Sequence, residues 1–80
     1  MTEITVYSRQ GCHLCEVLIE ELLPLARGKA TVSVVDIDGD PALADRYGLR
    51  IPVVSMGDEE LCHYHLDKAA VHRALASSSR

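Results

Sequence analysis

Five residues, Gly11-Cys12-His13-Leu14-Cys15, stand between a β-branched and aromatic run from Glu3 to Tyr7 and an amphipathic stretch from His13 to about Leu23. This placement constrains the fold more than any other feature. A strand that passes through a short polar loop (Ser8-Arg9-Gln10-Gly11) into a helix is the opening of a strand-helix-strand crossover. Along the helix Leu14, Val17, Leu18, Ile19, Leu22 and Leu23 recur at helical spacing, with Glu16, Glu20 and Glu21 opposite, which predicts one core-facing stripe. Pro24 lacks an amide hydrogen and clashes with the preceding turn, so it is expected to kink or end the helix before Arg27-Gly28.

The remaining segments continue the alternation. Thr31 to Ile37 (TVSVVDI) is β-branched with weak alternation, the pattern of a strand buried on both faces. Asp40-Pro41 reads as N-cap and first helical residue, opening a short helix from Pro41 to Tyr47 that Gly48 closes. Ile51 to Met56 is a third strand that begins on a proline, Gly57-Asp58 a hairpin turn, and Leu61 to Tyr64 a fourth, antiparallel strand. Asp67 caps a last helix whose Leu66, Ala70, Val71, Ala74 and Leu75 share a face. The order βαβαββα predicts an α/β fold, one four-stranded mixed sheet with three helices on its faces. Eighty residues hold one core, so residues 1–76 are expected to form a single domain, monomeric, with 77–80 a frayed tail.

Charge removes several functional classes. Twelve acidic against eight basic residues give a net charge of −4, which opposes attraction to phosphate, and the three tyrosines are scattered, so nucleic acid is not an expected partner. No apolar run reaches membrane-spanning length, and no membrane partner is expected. Met1-Thr2-Glu3 leads directly into a strand, without the basic and apolar regions of a secretory signal, which favours the cytoplasm. In a reducing compartment three cysteines read as redox, metal or core residues rather than as a structural disulfide framework.

The C-x-x-C spacing places the sulfurs of Cys12 and Cys15 on one side of the first helical turn, within reach of each other. Cys12 lies beside the free amides and positive dipole end of the helix, which favours its thiolate. Cys15, one turn deeper, should be less exposed. A Cys12 thiolate could form a mixed disulfide and Cys15 resolve it by intramolecular exchange. Two other readings use the same residues. Cys12, Cys15, Cys62 and His65, with His63 in reserve, form a Cys₃His zinc set on paper, and the cysteines could equally be small core side chains. Asp36 and Asp38 alternate like paired acid-base carboxylates, although turn formation at a strand end explains them more simply.

The segment from Tyr7 to Cys15 resembles the active-site segment of glutaredoxins, and Ile51-Pro52 resembles their cis-proline motif. The likeness extends over nearly the whole chain and is greatest to small bacterial glutaredoxin-like proteins. It implies a thioredoxin-like, glutaredoxin-type fold and thiol-disulfide oxidoreductase activity on protein or low-molecular-weight disulfides. It further implies Cys12 as nucleophile, Cys15 as resolving thiol and a cis Pro52 facing them, with the backbone of Ile51 aligning an extended peptide or glutathione as an added strand. Arg9 stands where glutaredoxins carry a basic residue that favours the thiolate. His13, and Arg50 beside the Ile51-Pro52 step, are further cations near the site. No bound cofactor is implied, and glutathione is expected as a candidate co-substrate. Two positions depart from the pattern: the pair within the motif is His13-Leu14, and the glutaredoxin Gly-Gly stretch is here Cys62-His63-Tyr64-His65-Leu66-Asp67. A redox-sensing or protein-binding module on the same fold is the alternative reading.

Overall fold

A β-branched chain that alternates its side chains across a sheet must cover both faces, and three helices do so here. The computed structural model describes residues 2–78. The order is β1 (Glu3–Ser8), α1 (His13–Ala26), β2 (Thr31–Asp36), a 3₁₀ turn (Ile37–Gly39), α2 (Pro41–Tyr47), β3 (Val53–Met56), β4 (Glu59–His63) and α3 (Lys68–Ser78). The sheet runs β2-β1-β3-β4. β1 is parallel to β2 and antiparallel to β3, and β3 is antiparallel to β4. This is the expected mixed α/β sheet of thioredoxin-like type.

Neighbouring residues of β1 and β3 serve opposite faces. Val6 and Val54 lie opposite each other and belong to the larger core, with Ile4, Leu18, Leu22 and Ala26 beneath α1 and Val71 and Leu75 beneath α3. One residue along, Tyr7 pairs with Val53 and turns to the other face, where Ile37, Tyr47, Leu43 and Ile51 pack under α2. The period-2 geometry of a strand divides the core in this way. Among the described residues, no helix is long and apolar enough to cross a membrane.

Several details differ from the sequence reading, among them the start of β3, which is Val53 and not Ile51. Pro24 lies inside α1, which runs past the apolar stretch that closes at Leu23 and ends at Ala26, before Arg27-Gly28 as expected. Buried Leu22 and Ala26 hold the last turn in place, and the Arg27 amide still reaches the Leu23 carbonyl at 3.1 Å. β2 is an edge strand and not buried on both faces: Val34 is half exposed, because only β1 flanks it and a continuous apolar pattern does not distinguish centre from edge. Ile37 leaves the strand for the 3₁₀ turn, where Asp36 accepts from the Asp38 amide at 2.9 Å, the turn-forming role expected of that aspartate. β4 spans Glu59–His63 rather than Leu61 to Tyr64, since Tyr64 takes a φ of 65°, which no strand can continue through.

α3 extends through Ser77 and Ser78, so the start of the expected 77–80 tail is helical, there being no Gly or Pro to stop it, and residues 79 and 80 lie outside the described residues. At its other end the Asp67 carboxylate accepts from the Ala70 amide at 3.1 Å, the expected N-cap.

Leu18 and Leu22 join α1 to both β1 and α3 and are almost wholly buried. Leu18→Ala should destabilise the domain by about 2–5 kcal/mol through lost burial and an unfilled cavity. Urea unfolding should show a lowered midpoint at unchanged slope.

Candidate active site

Strand polarity gathers the site at one end of the sheet. Ser8 lies opposite Asp36, Tyr7 opposite Val53, and Val53 opposite His63. The exits of β1, β2 and β4 and the entrance of β3 therefore share an end, as binding crevices of open α/β sheets do. Cys12, the Ile51-Pro52 step and the His63-Tyr64-His65 stretch all extend from that end.

The turn into α1 is built around a glycine. The Cys12 amide donates to the Arg9 carbonyl at 3.2 Å across a turn whose third residue, Gly11, has φ 78°, a value that favours glycine. Cys12 then N-caps α1. Its Sγ accepts from the Cys15 amide at 3.2 Å, and its carbonyl accepts from the Glu16 amide at 3.2 Å. Sulfur thus occupies the cap position normally held by a hydroxyl or carboxylate oxygen, where amide hydrogens and helix dipole both favour negative charge. Cys12 and Cys15 are joined as a disulfide across a Cα–Cα distance of 5.2 Å. The two sulfurs differ in access: Cys12 is half-buried, whereas Cys15 is 2% exposed within the core side of α1.

The Ile51–Pro52 peptide is cis, as the resemblance implied. The Pro52 ring is itself buried, so what this segment offers outward is backbone. Neither the amide nor the carbonyl of Ile51 has a hydrogen-bond partner among the described residues, and its side chain packs on the α2 side of the core.

Two of the basic residues expected near the site are paired with carboxylates of the protein. Arg9 donates through Nε to Asp38 at 2.8 Å, on the 3₁₀ turn after β2. Arg50 donates to Glu60 at 2.6 Å and to the Arg46 carbonyl at 3.3 Å, with its guanidinium 5.7 Å from the Tyr47 ring. His13 is exposed at the first turn of α1 and makes no hydrogen bond or ion pair among the described residues. Below this rim Tyr7 stacks on Tyr47 with ring centres 4.2 Å apart. Burial, then the facing Tyr47 phenol, pushes the Tyr7 hydroxyl above its ordinary range, so Tyr7 stays uncharged under physiological conditions.

The residues of the zinc reading do not converge. Cys62 lies in β4 opposite Val54 and accepts from the Asp67 amide at 3.5 Å, His63 pairs with Glu60 at 3.1 Å, and His65 is exposed beyond the strand end. Among the described residues no three His, Cys, Asp or Glu side chains form a metal-binding group. The anticipated alternation of His63 and His65 on one strand face fails because β4 stops between them.

Sequence reasoning passed over Leu49, Glu60 and the Tyr7–Tyr47 stack. For Tyr64 a signal existed, the larger side chains of the Cys62 to Asp67 stretch that corresponds to the glutaredoxin Gly-Gly pair, but its hydrogen bonds depend on segments distant in sequence.

Comparison with known proteins agrees with this fold. The family model for a glutaredoxin-like domain (DUF836) matches residues 3–76. The chain is similar to protein Ne2328 from Nitrosomonas europaea, solved by NMR, at 38% identity and a TM-score of 0.82, covering 91% of this chain and 89% of that one. It is similar to protein XcR50 from X. campestris, solved by X-ray, at 37% identity and a TM-score of 0.70, covering 94% and 97%. A thioredoxin from Halobacterium salinarum shares the fold at 24% identity and a TM-score of 0.68, over 99% of this chain and 75% of that one. No curated protein matches significantly.

Cys62 provides a test of these environments. Burial pushes its thiol up and the Asp67 and Glu60 carboxylates add to this, outweighing the amide hydrogen that Asp67 donates. A raised thiol is mostly protonated at neutral pH, so after reduction Cys62 should react with iodoacetamide at least about tenfold more slowly than Cys12. Its rate should climb with pH beyond the ordinary thiol range. Peptide mass spectrometry across a pH series reads both rates.

Proposed function

From the chain's membership of the glutaredoxin-like domain family, a family of thioredoxin-fold proteins, we propose that it is a thiol-disulfide oxidoreductase working by dithiol exchange at Cys12 and Cys15. The observation that carries this reading is the unequal access of two bonded sulfurs at a helix N-terminus. Cys12 is reachable and capped by amide hydrogen, and Cys15 is enclosed.

The reaction follows from that inequality. In the reduced protein the Cys12 thiolate attacks one sulfur of a substrate disulfide, breaking its S–S bond. The other substrate sulfur leaves as a thiolate and takes a proton from water. The mixed disulfide at Cys12 is then attacked by Cys15 after it loses its proton, which forms the Cys12–Cys15 bond and releases the second substrate thiol. Two electrons have passed from the dithiol to the substrate, and the enzyme is left in the oxidised form present here. An external thiol reductant completes the cycle, and no bound cofactor takes part.

Substrate alignment falls to the backbone of Ile51, whose free amide and carbonyl can bond an extended disulfide-bearing chain as a neighbouring strand would. Protein disulfides and low-molecular-weight disulfides both satisfy that backbone recognition, glutathione included as co-substrate. Arg9 and His13 flank the entrance, and Arg9 must leave or share Asp38 to meet a substrate carboxylate. Such an exposed pair contributes only about 0–1 kcal/mol, so the exchange is inexpensive. The setting that suits this cycle is the reducing cytoplasm, with the protein acting as a monomer.

Cys15→Ser should accumulate a covalent adduct at Cys12 when challenged with oxidised substrate, visible by mass spectrometry and released by dithiothreitol. Cys12→Ser should form none and lose turnover by at least about a thousandfold. A Cys15→Ser protein that traps nothing defeats the mechanism. Coupling wild-type turnover separately to glutathione and to thioredoxin reductase identifies the electron donor.

A further inference from the structure

The segment from Leu49 to Pro52 carries the free Ile51 backbone, yet its first residue does not anchor it by packing: Leu49 is 92% exposed. Arg50 is tied back to α2 and β4, its amide donating to the Tyr47 carbonyl at 2.8 Å and its guanidinium to Glu60. The remaining bonds come from a single residue beyond the end of β4. The Tyr64 hydroxyl donates to the Leu49 carbonyl at 2.6 Å, and the Tyr64 amide donates to the Pro52 carbonyl at 2.9 Å. One residue is therefore bonded to the segment on both sides of Ile51.

Tyr64 makes these bonds from a backbone conformation that side chains rarely adopt. Its φ is 65°, and the His65 amide donates to the His63 carbonyl at 2.8 Å, closing a three-residue turn around it. A non-glycine residue there is strained, and such strain persists only where the surroundings over-determine it, often at functional sites. Glycine would take the same turn freely but has no hydroxyl to reach Leu49. The ring also meets His63 edge-on at 4.8 Å, which limits its rotation. The presence of tyrosine where the backbone favours glycine is explained by what its side chain holds.

We infer that Tyr64 is a positioning residue of the site, bracing Leu49 and Pro52 so that the unpaired backbone of Ile51 is presented to substrate already ordered. Its catalytic consequence rests on the thiol-disulfide reading above, whereas the brace itself is measurable without turnover. A braced segment binds an extended chain without first losing its own freedom, so the contribution is to substrate affinity. It does not reach the Cys12 sulfur, whose charge is governed by the α1 amides.

Tyr64→Phe removes only the hydroxyl, and Tyr64→Gly removes the ring while relieving the backbone. In both variants the Arg50 amide, bonded to the Tyr47 carbonyl, should exchange with solvent about fivefold faster or more than in wild type, with β1 and β3 amides unchanged, as read by NMR. With a disulfide-linked peptide as substrate, KM should rise about fivefold, with kcat within about twofold and the Cys12–Cys15 reduction potential unchanged. Unchanged exchange in Tyr64→Phe overturns the inference, as does a wild-type KM in Tyr64→Gly. A shifted potential, or a lower kcat at constant KM, assigns the effect to the cysteine pair and overturns it equally. If wild-type protein neither turns over nor traps any disulfide, the proposed function falls, and the exchange rates alone then decide the brace.

Discussion

Tyr7 and Val53 lie opposite each other where β1 leaves the sheet and β3 enters it, and the polarity of that pairing decides what meets at the site. Because the strands are antiparallel, the loop that follows β1 and the loop that precedes β3 emerge side by side. The first carries Cys12 and the second carries Ile51-Pro52. A parallel pairing would have put the Ile51-Pro52 step at the far end of the sheet. The parallel β1–β2 ladder, closed through α1, then places Asp38 beside Arg9. The β3–β4 hairpin returns the chain to the same end and delivers Tyr64. Three different connections thus converge because of strand direction alone.

Within that frame the two cysteines owe their different chemistry to one turn of helix. Cys12 is the N-cap, ahead of the first helical residue, so its sulfur faces an amide donor instead of core. Cys15 is one turn in, on the stripe that also buries Leu18 and Leu22. The amphipathic pattern that folds α1 onto the sheet therefore also sets the difference in access between the two sulfurs. Around them the charges are mostly compensated by carboxylates of the protein itself, at Asp38 for Arg9 and Glu60 for Arg50. The groups left without a partner at this end of the sheet include the backbone amide and carbonyl of Ile51.

Much of this was readable before any coordinates. The alternating runs fixed four strands and three helices in order, Asp40-Pro41 and Asp67 marked two helix starts, and Gly57-Asp58 marked the hairpin. The errors came where local pattern carries no information about neighbours. TVSVVDI reads as a central strand but has a partner on one side only. Pro24 leaves open where before Arg27 the helix stops, and the burial of Leu22 and Ala26 carries it on to Ala26. The zinc set matched in spacing and failed in space, since Cys62 turns toward Val54 and the Asp67 amide.

The sequence by itself determined the elements, the cysteine pair at the start of α1 and the difference in depth between its two sulfurs, because each of these follows from periodicity over a few residues. Tertiary structure decided which groups are left free for a substrate. Arg9 and Arg50 are each held by a carboxylate 29 and 10 residues away, and Leu49 by a hydroxyl 15 residues away. The Ile51 backbone remains unpaired between those ties. Contacts of that separation are set by strand order and register, and no local pattern in the chain encodes them.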